Sequence, residues 1–304
     1  MKGLDLEGVF WPAANPDDRT AGRLTFDVSA GGQLDLIGSF GSIDRIFAEQ
    51  DEPLRILGIG GKRLLTLDDC MKAGSTFETP GIYRERYRPG IILSGAHFDA
   101  GEELNFSAVA VQLRHLSHWI ERSGVVLEMT EDAAAHEITE IRLTHTPIDM
   151  ATTATALGQL ELGFTWSLRG DHIVESTIEQ GCYLRMQPPD VLSLDELVKA
   201  CMALQHLVTL GVDASAPITS VSLWHPDVAH TLPSGRIVKD TIDVYAQLQG
   251  GDVPSDDRHR LVHDMLFTFS DLGGLAGVAR WIEVASKFES VVGALLSHRY
   301  MPRM

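Results

Sequence analysis

The sequence predicts a β-rich α+β protein, with antiparallel sheets in a sandwich-like arrangement, a few packed helices and a C-terminal helix. Three observations point there. Apolar residues alternate with polar ones at period two through many short runs, as half-buried antiparallel strands require. Turn residues separate those runs at the spacing of a sandwich. Helical spacing is confined to a few segments, the clearest of which carries its own capping signature.

Taken in order, Leu24, Phe26 and Val28 alternate, Gly31-Gly32 supplies a hairpin-type turn, and Leu34 and Leu36 resume the period. Strand-like runs follow at Leu54 to Ile59, Arg63 to Leu67, Ile91 to Leu93, Phe106 to Leu113 and Val125 to Met129. A short helix fits Leu113 to Glu121, and Asp68 to Tyr87 reads as a long loop suited to recognition. Leu160, Leu162, Phe164, Trp166 and Leu168 then form the longest alternation. Ser193-Leu-Asp-Glu196 is a capping box, since the Ser oxygen accepts from the third backbone N–H while Glu196 reaches back. Leu194, Leu197, Val198, Cys201, Leu204 and Val208 follow at helical spacing, with Gly211 as the C-cap.

Strand patterns return at Ile218 to Trp224 and at Ile242, Val244, Ala246 and Leu248. A polar loop, Gly250 to Asp257, precedes a last strand-like run, Met265 to Phe269. Asp271 is positioned to cap a closing helix whose Leu275, Val278, Ile282, Ala285, Phe288, Val292 and Leu295 share one stripe. Its final turns, Leu295 to Met304, are expected to leave apolar surface for a following domain or a partner. The expected organisation is a β-rich subdomain over 1–130, a second over 131–270 with helix 193–210, and a helical segment over 271–304.

At 304 residues, with 44% hydrophobic and 22% charged residues, the chain is long enough for one large or two modest domains with real cores. Neither a signal peptide nor a run of about 18 apolar residues is present, so a soluble, cytoplasmic protein is expected. Three widely spaced cysteines, Cys70, Cys182 and Cys201, fit reduced thiols better than a disulfide framework. A formal charge of −17 opposes wrapping nucleic acid, because phosphate binding needs clustered Lys and Arg. The densest basic stretch, Tyr83-Arg84-Glu85-Arg86-Tyr87-Arg88, interleaves aromatics with arginines as a stacking surface does, and equally as an exposed strand beside an acidic neighbour does.

Several motifs have plainer readings. Gly58-Ile-Gly-Gly61-Lys62 lacks the helix that a phosphate loop opens, and reads as a tight turn between strands. His115 and His118, with His97 as a distant third, lack the supporting shell of a metal site, so no metal or cofactor is expected. The doublets Asp17-Asp18, Asp68-Asp69 and Asp256-Asp257 read as turns or solvated loops. Arg258 and His263, with four residues between them, resemble the ribonuclease motif of HEPN domains. A histidine and an arginine suit attack by a ribose 2′-OH on phosphate, but the helical bed of that fold is missing around them.

The chain also resembles a known family. Gly8-Val-Phe-Trp11-Pro12, Asn15-Pro16, Arg19 and Gly22 to Asp27 look like the opening of the ApeA-type N-terminal domain. The likeness continues in Thr66 to Cys70, Leu93 to Phe98, Leu116 with Trp119, Leu192 to Leu197, Leu266 to Phe269 and Gly277 to Trp281. It implies a module of bacterial anti-phage, abortive-infection proteins that precedes a HEPN ribonuclease domain and senses infection or restrains the nuclease. The chain is expected to end where that effector domain begins, so the family's catalytic pair is not carried over to Arg258 and His263. The partners implied are the HEPN effector or another protein, including a phage protein, with no membrane and no nucleic acid for this module alone.

Three functions fit the sequence. The first is a non-catalytic sensor or regulatory module, with Trp11, Tyr83, Arg84, Arg86 and Tyr87 as candidate binding residues. The aromatics among them serve equally as core or seam residues. The second is a carbohydrate- or small-molecule-binding β-sandwich, and the third a small ribonuclease using Arg258 and His263.

Overall fold

The computed structural model describes residues 3–41, 52–78, 82–132, 137–171, 173–248, 262–285, 287–288 and 291. Six strands come first: β1 (Leu4–Pro12), β2 (Thr20–Asp27), β3 (Gly31–Ile37), β4 (Leu54–Gly60), β5 (Arg63–Glu78) and β6 (Ile82–Ser94). β1, β2 and β3 form a meander; β3 then pairs with β6, β6 with β5, β5 with β4, and β4 returns to β1. Every pairing is antiparallel and the ring closes, so this half is a six-stranded barrel. The fold is thus barrel-like where a sandwich was expected. Alternation states only that each strand buries one face, which barrels and sandwiches share; closure depends on the distant pairings β1 with β4 and β3 with β6.

The barrel is filled by Phe10, Leu24, Leu34, Leu36, Ile56, Leu65 and Leu67, all buried. Phe10 fits because Gly58 faces it: a Cβ there would lie 2.4 Å from the ring's Cδ1. Gly61 and Lys62, both at positive φ (56° and 67°), make the tight turn between β4 and β5, as their spacing predicts. Asp68 to Tyr87 is not a loop. Its described residues belong to the paired strands β5 and β6, whose register shifts between Lys72 and Gly74 and whose largely polar outer face hides the alternation.

β6 also begins a second sheet. Its residues Arg84 to Tyr87 pair with β3, whereas Ile91 to Ser94 pair with β18 (Ile242–Ala246), and β5 flanks both halves. Pro89, which has no N–H to donate, sits between the two partners. Gly32 packs there: a Cβ on it would lie 2.7 Å from Pro89 Cγ. The strand changes faces across this point, so that Tyr87 and Ile92 reach the barrel core while Leu93 enters the second core.

Between β6 and β18 lie β7 (Asn105–Phe106), β8 (Ala108–Leu113), α1 (Leu116–Ile120), β9 (Val125–Asp132), β10 (Glu137–His145) and β11 (Ala151–Thr155). They are followed by β12 (Gly158–Arg169), β13 (Thr177–Gln187), β14 (Leu192–Ser193), α2 (Leu194–Val212), β15 (Ile218–Trp224), β16 (Ala229–Thr231) and β17 (Ile237–Lys239). α3 (Leu275–Ala285) comes last among the described elements. The second sheet runs β6, β18, β15, β8, β13, β12, β11, while β7 with β14, β9 with β10 and β16 with β17 form separate pairs. α1, α2 and α3 pack against this sheet, and α3 lies on β11, β12 and α2.

α2 starts as its sequence predicts. Ser193 Oγ accepts from Glu196 N–H (3.4 Å) and Ser193 N–H donates to Glu196 Oε2 (3.1 Å). The helix passes beyond Gly211 and ends at Val212, with Asp213 as the left-handed cap (φ 50°). Gly211 has another role: a Cβ there would lie 2.3 Å from Trp119 Nε1. That indole is fully buried and donates to the Phe267 carbonyl (2.9 Å).

Met265 to Phe269 is not a strand. Val262–Asp264 is a 3-10 turn, and the run after it bonds to helix ends: Leu266 N–H donates to the Gly211 carbonyl (2.8 Å) and Phe269 N–H to that of Trp119 (3.1 Å). Asp271 does not cap α3 either. Its carboxylate accepts from Thr268 N–H (2.8 Å) and Thr268 Oγ1 (2.9 Å), closing the preceding turn, and α3 begins after Gly273 and Gly274, both at positive φ. Leu275, Val278, Ile282 and Ala285 form the buried stripe, while Phe288 is exposed. Val292 and the span Leu295 to Met304 lie outside the described residues. Gly211→Ala is expected to lower stability by about 1–3 kcal/mol through overpacking against Trp119, exceeding the ~1 kcal/mol gained in helix propensity. A urea titration checks it.

Candidate functional site

Strand parity decides where the binding candidates go. On β6, Arg84 and Arg86 point to the barrel exterior, whereas Glu85 and Tyr87 are buried and Tyr83 is half-buried. Aromatics and arginines therefore lie on opposite faces, and the interleaved stacking surface expected from Tyr83-Arg84-Glu85-Arg86-Tyr87-Arg88 does not form.

The inward set is a polar cluster within the barrel. Glu85 Oε1 accepts from Lys72 Nζ (2.8 Å) and the Tyr83 hydroxyl (3.2 Å), and Oε2 from the Tyr87 hydroxyl (3.0 Å) and Phe40 N–H (3.4 Å). Burial, then the adjacent Glu85 carboxylate, push the Tyr87 phenol well above its ordinary range, so it stays a neutral donor. A carboxylate with four donors in a barrel core is a fully satisfied buried charge. Lys72, Phe40 and the inward role of Glu85 were not singled out from the sequence. The available signal was the alternation itself, which puts Glu85 in phase with Tyr83 and Tyr87.

The outward set borders a groove of about 1060 Å³ on the barrel exterior. Its lining includes Glu7, Val9, Arg23, Asp35, Ile37 and the two arginines, with Ala73 to Thr76 of β5 alongside, and no aromatic side chain. Asp35 accepts from Arg86 Nε (2.7 Å) and Gln33 Nε2 (2.6 Å), and Arg23 pairs with Asp5 (2.6 Å). Trp11 lies apart from both sets. It is buried with Ala13 and Leu57, meets the His97 ring edge-on at 5.4 Å and carries the Arg19 guanidinium 4.7 Å from its centroid. His97 Nε2 contacts the Gly58 carbonyl at 2.8 Å.

Chemical machinery is sparse among the described residues. All three thiols are free and buried; burial pushes Cys182 up to about 11 and Cys201 to about 12, and raises Cys70 further, so none is a ready thiolate. No group of three or more His, Cys, Asp or Glu among the described residues is placed to hold a metal ion. His263 is exposed on its 3-10 turn with Nε2 3.6 Å from Asp264, and Arg258 lies outside the described residues. No described helix is long and apolar enough to cross a membrane.

Glu85→Ala leaves the Lys72 ammonium and two phenols without their acceptor, and is expected to cost about 3–5 kcal/mol. Adding Lys72→Met should recover part of that loss in a thermal melt, because it removes the stranded charge.

No curated protein and no solved structure matches the chain. The family model of ApeA N-terminal domain 1 does match, over residues 5–281, from the first barrel strand to within α3. With nearly its whole length matched, and with barrel and second core both inside the matched span, the chain belongs to the ApeA N-terminal domain 1 family.

Proposed function

We propose that the chain is a non-catalytic recognition and regulatory module of anti-phage defence, acting through protein contacts on a HEPN ribonuclease effector. The family match over residues 5–281 carries this reading, since ApeA N-terminal domains are parts of proteins with a HEPN effector. The described chemistry supports it. The buried Glu85 carboxylate is spent on internal hydrogen bonds, burial disfavours the thiolate form of the cysteines, and the net charge of −17 disfavours RNA as a direct ligand.

In this reading Arg84 and Arg86 are the contact residues at the barrel exterior. Tyr83 and Tyr87 hold their strand from beneath, and Trp11 braces the adjoining β1 and β4. A carbohydrate site is less well supported, because sugar recognition calls for aromatic faces and the groove is lined by aliphatic and charged groups.

Two measurements test the proposal. The purified chain, incubated with total RNA, should leave it intact, with His263→Ala indistinguishable from wild type; cleavage that His263→Ala abolishes would establish the ribonuclease reading instead. Used as bait in infected and uninfected cells, the chain should recover an infection-specific protein, and recovery should fall when Arg84 and Arg86 are changed to Glu. Identical captures from both cell states would contradict the sensor role.

A further inference from the structure

The β9–β10 pair is a two-stranded ribbon outside the main sheet, with nearly every residue exposed. Its register sorts the side chains into two faces. Leu127 opposes Leu143, Met129 opposes Ile141 and Glu131 opposes Ile138, so five large apolar residues share one face, with Val125 and His145 at its base. The other face is polar apart from Val126, and carries Glu128, Asp132, Glu137, Glu140 and Arg142. The five apolar residues each expose 42 to 63% of their surface. An isolated two-stranded ribbon is at best marginally stable in water, and one with an uncovered apolar face needs a partner.

The patch continues past the ribbon. Gln180 of β13 accepts from Gly124 N–H (2.7 Å) and donates to the Arg122 carbonyl (2.9 Å), fastening the ribbon's base. His145 then lies over Trp166, ring centroids 5.0 Å apart. Trp166 and Leu168 share the parity of the buried Leu160 and Leu162 on β12, yet both are exposed. Together these seven side chains leave on the order of 700 Å² of apolar surface in water. That exceeds the few hundred Å² usual for a monomer and approaches the ~800 Å² each partner gives a standard interface.

We infer that this face is a dimerisation surface and that its occupant is the same ribbon of a second copy of this chain. Stacked two-fold and antiparallel, the two apolar faces cover each other along ~27 Å of strand. The arrangement is self-complementary in charge. The carboxylates of Glu128, Asp132, Glu137 and Glu140 point away from the mate, so the acidic character of the chain does not oppose pairing. The two polar groups on the apolar face stand at opposite ends, Glu131 at the tip and His145 at the base. An antiparallel mate sets each carboxylate against an imidazole, which has an N–H to donate. This inference does not rest on the sensor reading, since it concerns the chain's own assembly.

Sedimentation equilibrium on the full chain tests it. Across about 1–100 µM, a range that covers micromolar affinities, the weight-average mass of the wild type should rise toward twice the 33.3 kDa of one chain. Ile141→Lys and Met129→Arg should each weaken the dimer at least tenfold while the near-ultraviolet circular dichroism of the two cores is retained, because neither side chain belongs to a core. Thr130→Arg, on the opposite face, should remain dimeric. A monomeric wild type throughout that range overturns the proposal, including the case in which the monomer binds an effector domain through the ribbon. So does a dimer that Ile141→Lys and Met129→Arg leave intact.

Discussion

The architecture depends on one strand having three neighbours. β6 keeps β5 along one edge and exchanges β3 for β18 along the other, with Pro89 at the exchange. An uninterrupted row of N–H donors there would favour continued pairing with one neighbour; proline removes a donor where neither is in place. Both cores follow from that exchange. Residues before it close the barrel through β3, and residues after it found the seven-stranded sheet on which α1, α2 and α3 lie. Gly32, tight against Pro89, is a condition of the same junction, so the glycine pair that reads as a hairpin turn also serves a contact far along the chain.

Among the described residues, Glu85 and the β9–β10 ribbon depart from the usual division of polar outside and apolar inside in different ways. Glu85 lies inside the barrel but is fully provided with donors, which makes it a specificity device for strand register: shifting β6 by one residue would bury Arg84 or Arg86 in its place. The β9–β10 ribbon exposes apolar surface with nothing described to cover it. An internal charge with four partners explains itself; an apolar face in water requires a second molecule or domain. The barrel exterior is polar and open, whereas the ribbon's exposed face is apolar.

Much of this was legible in the sequence, because some signals are local. The capping box at Ser193 and Glu196, the Gly61-Lys62 turn, the strand at Leu160 to Leu168 and the buried stripe of α3 each follow from residues within a few positions of one another. The misread elements depend on distant partners. Gly211 looks like a helix stop until Trp119 is placed against it, and Met265 to Phe269 looks like a strand until its N–H groups find the Gly211 and Trp119 carbonyls. The sandwich gives way to a barrel for the same reason: the pairing of Leu34 with Tyr87 spans the whole hairpin of β4 and β5, and no local pattern announces it. At the candidate site, parity alone would have separated Tyr83 and Tyr87 from Arg84 and Arg86, had Asp68 to Tyr87 been read as strands.

If β6 joins the two cores as described, they stabilise each other and lose structure together. Native-state hydrogen exchange, followed in increasing urea on amides of β3 in the barrel and of α2 on the second sheet, measures this most directly. The account predicts that both sets converge on one global opening free energy with one urea dependence. Barrel amides that stay protected after α2 has exchanged fully, or the reverse, would contradict it and show two cores that fold independently of the strand between them.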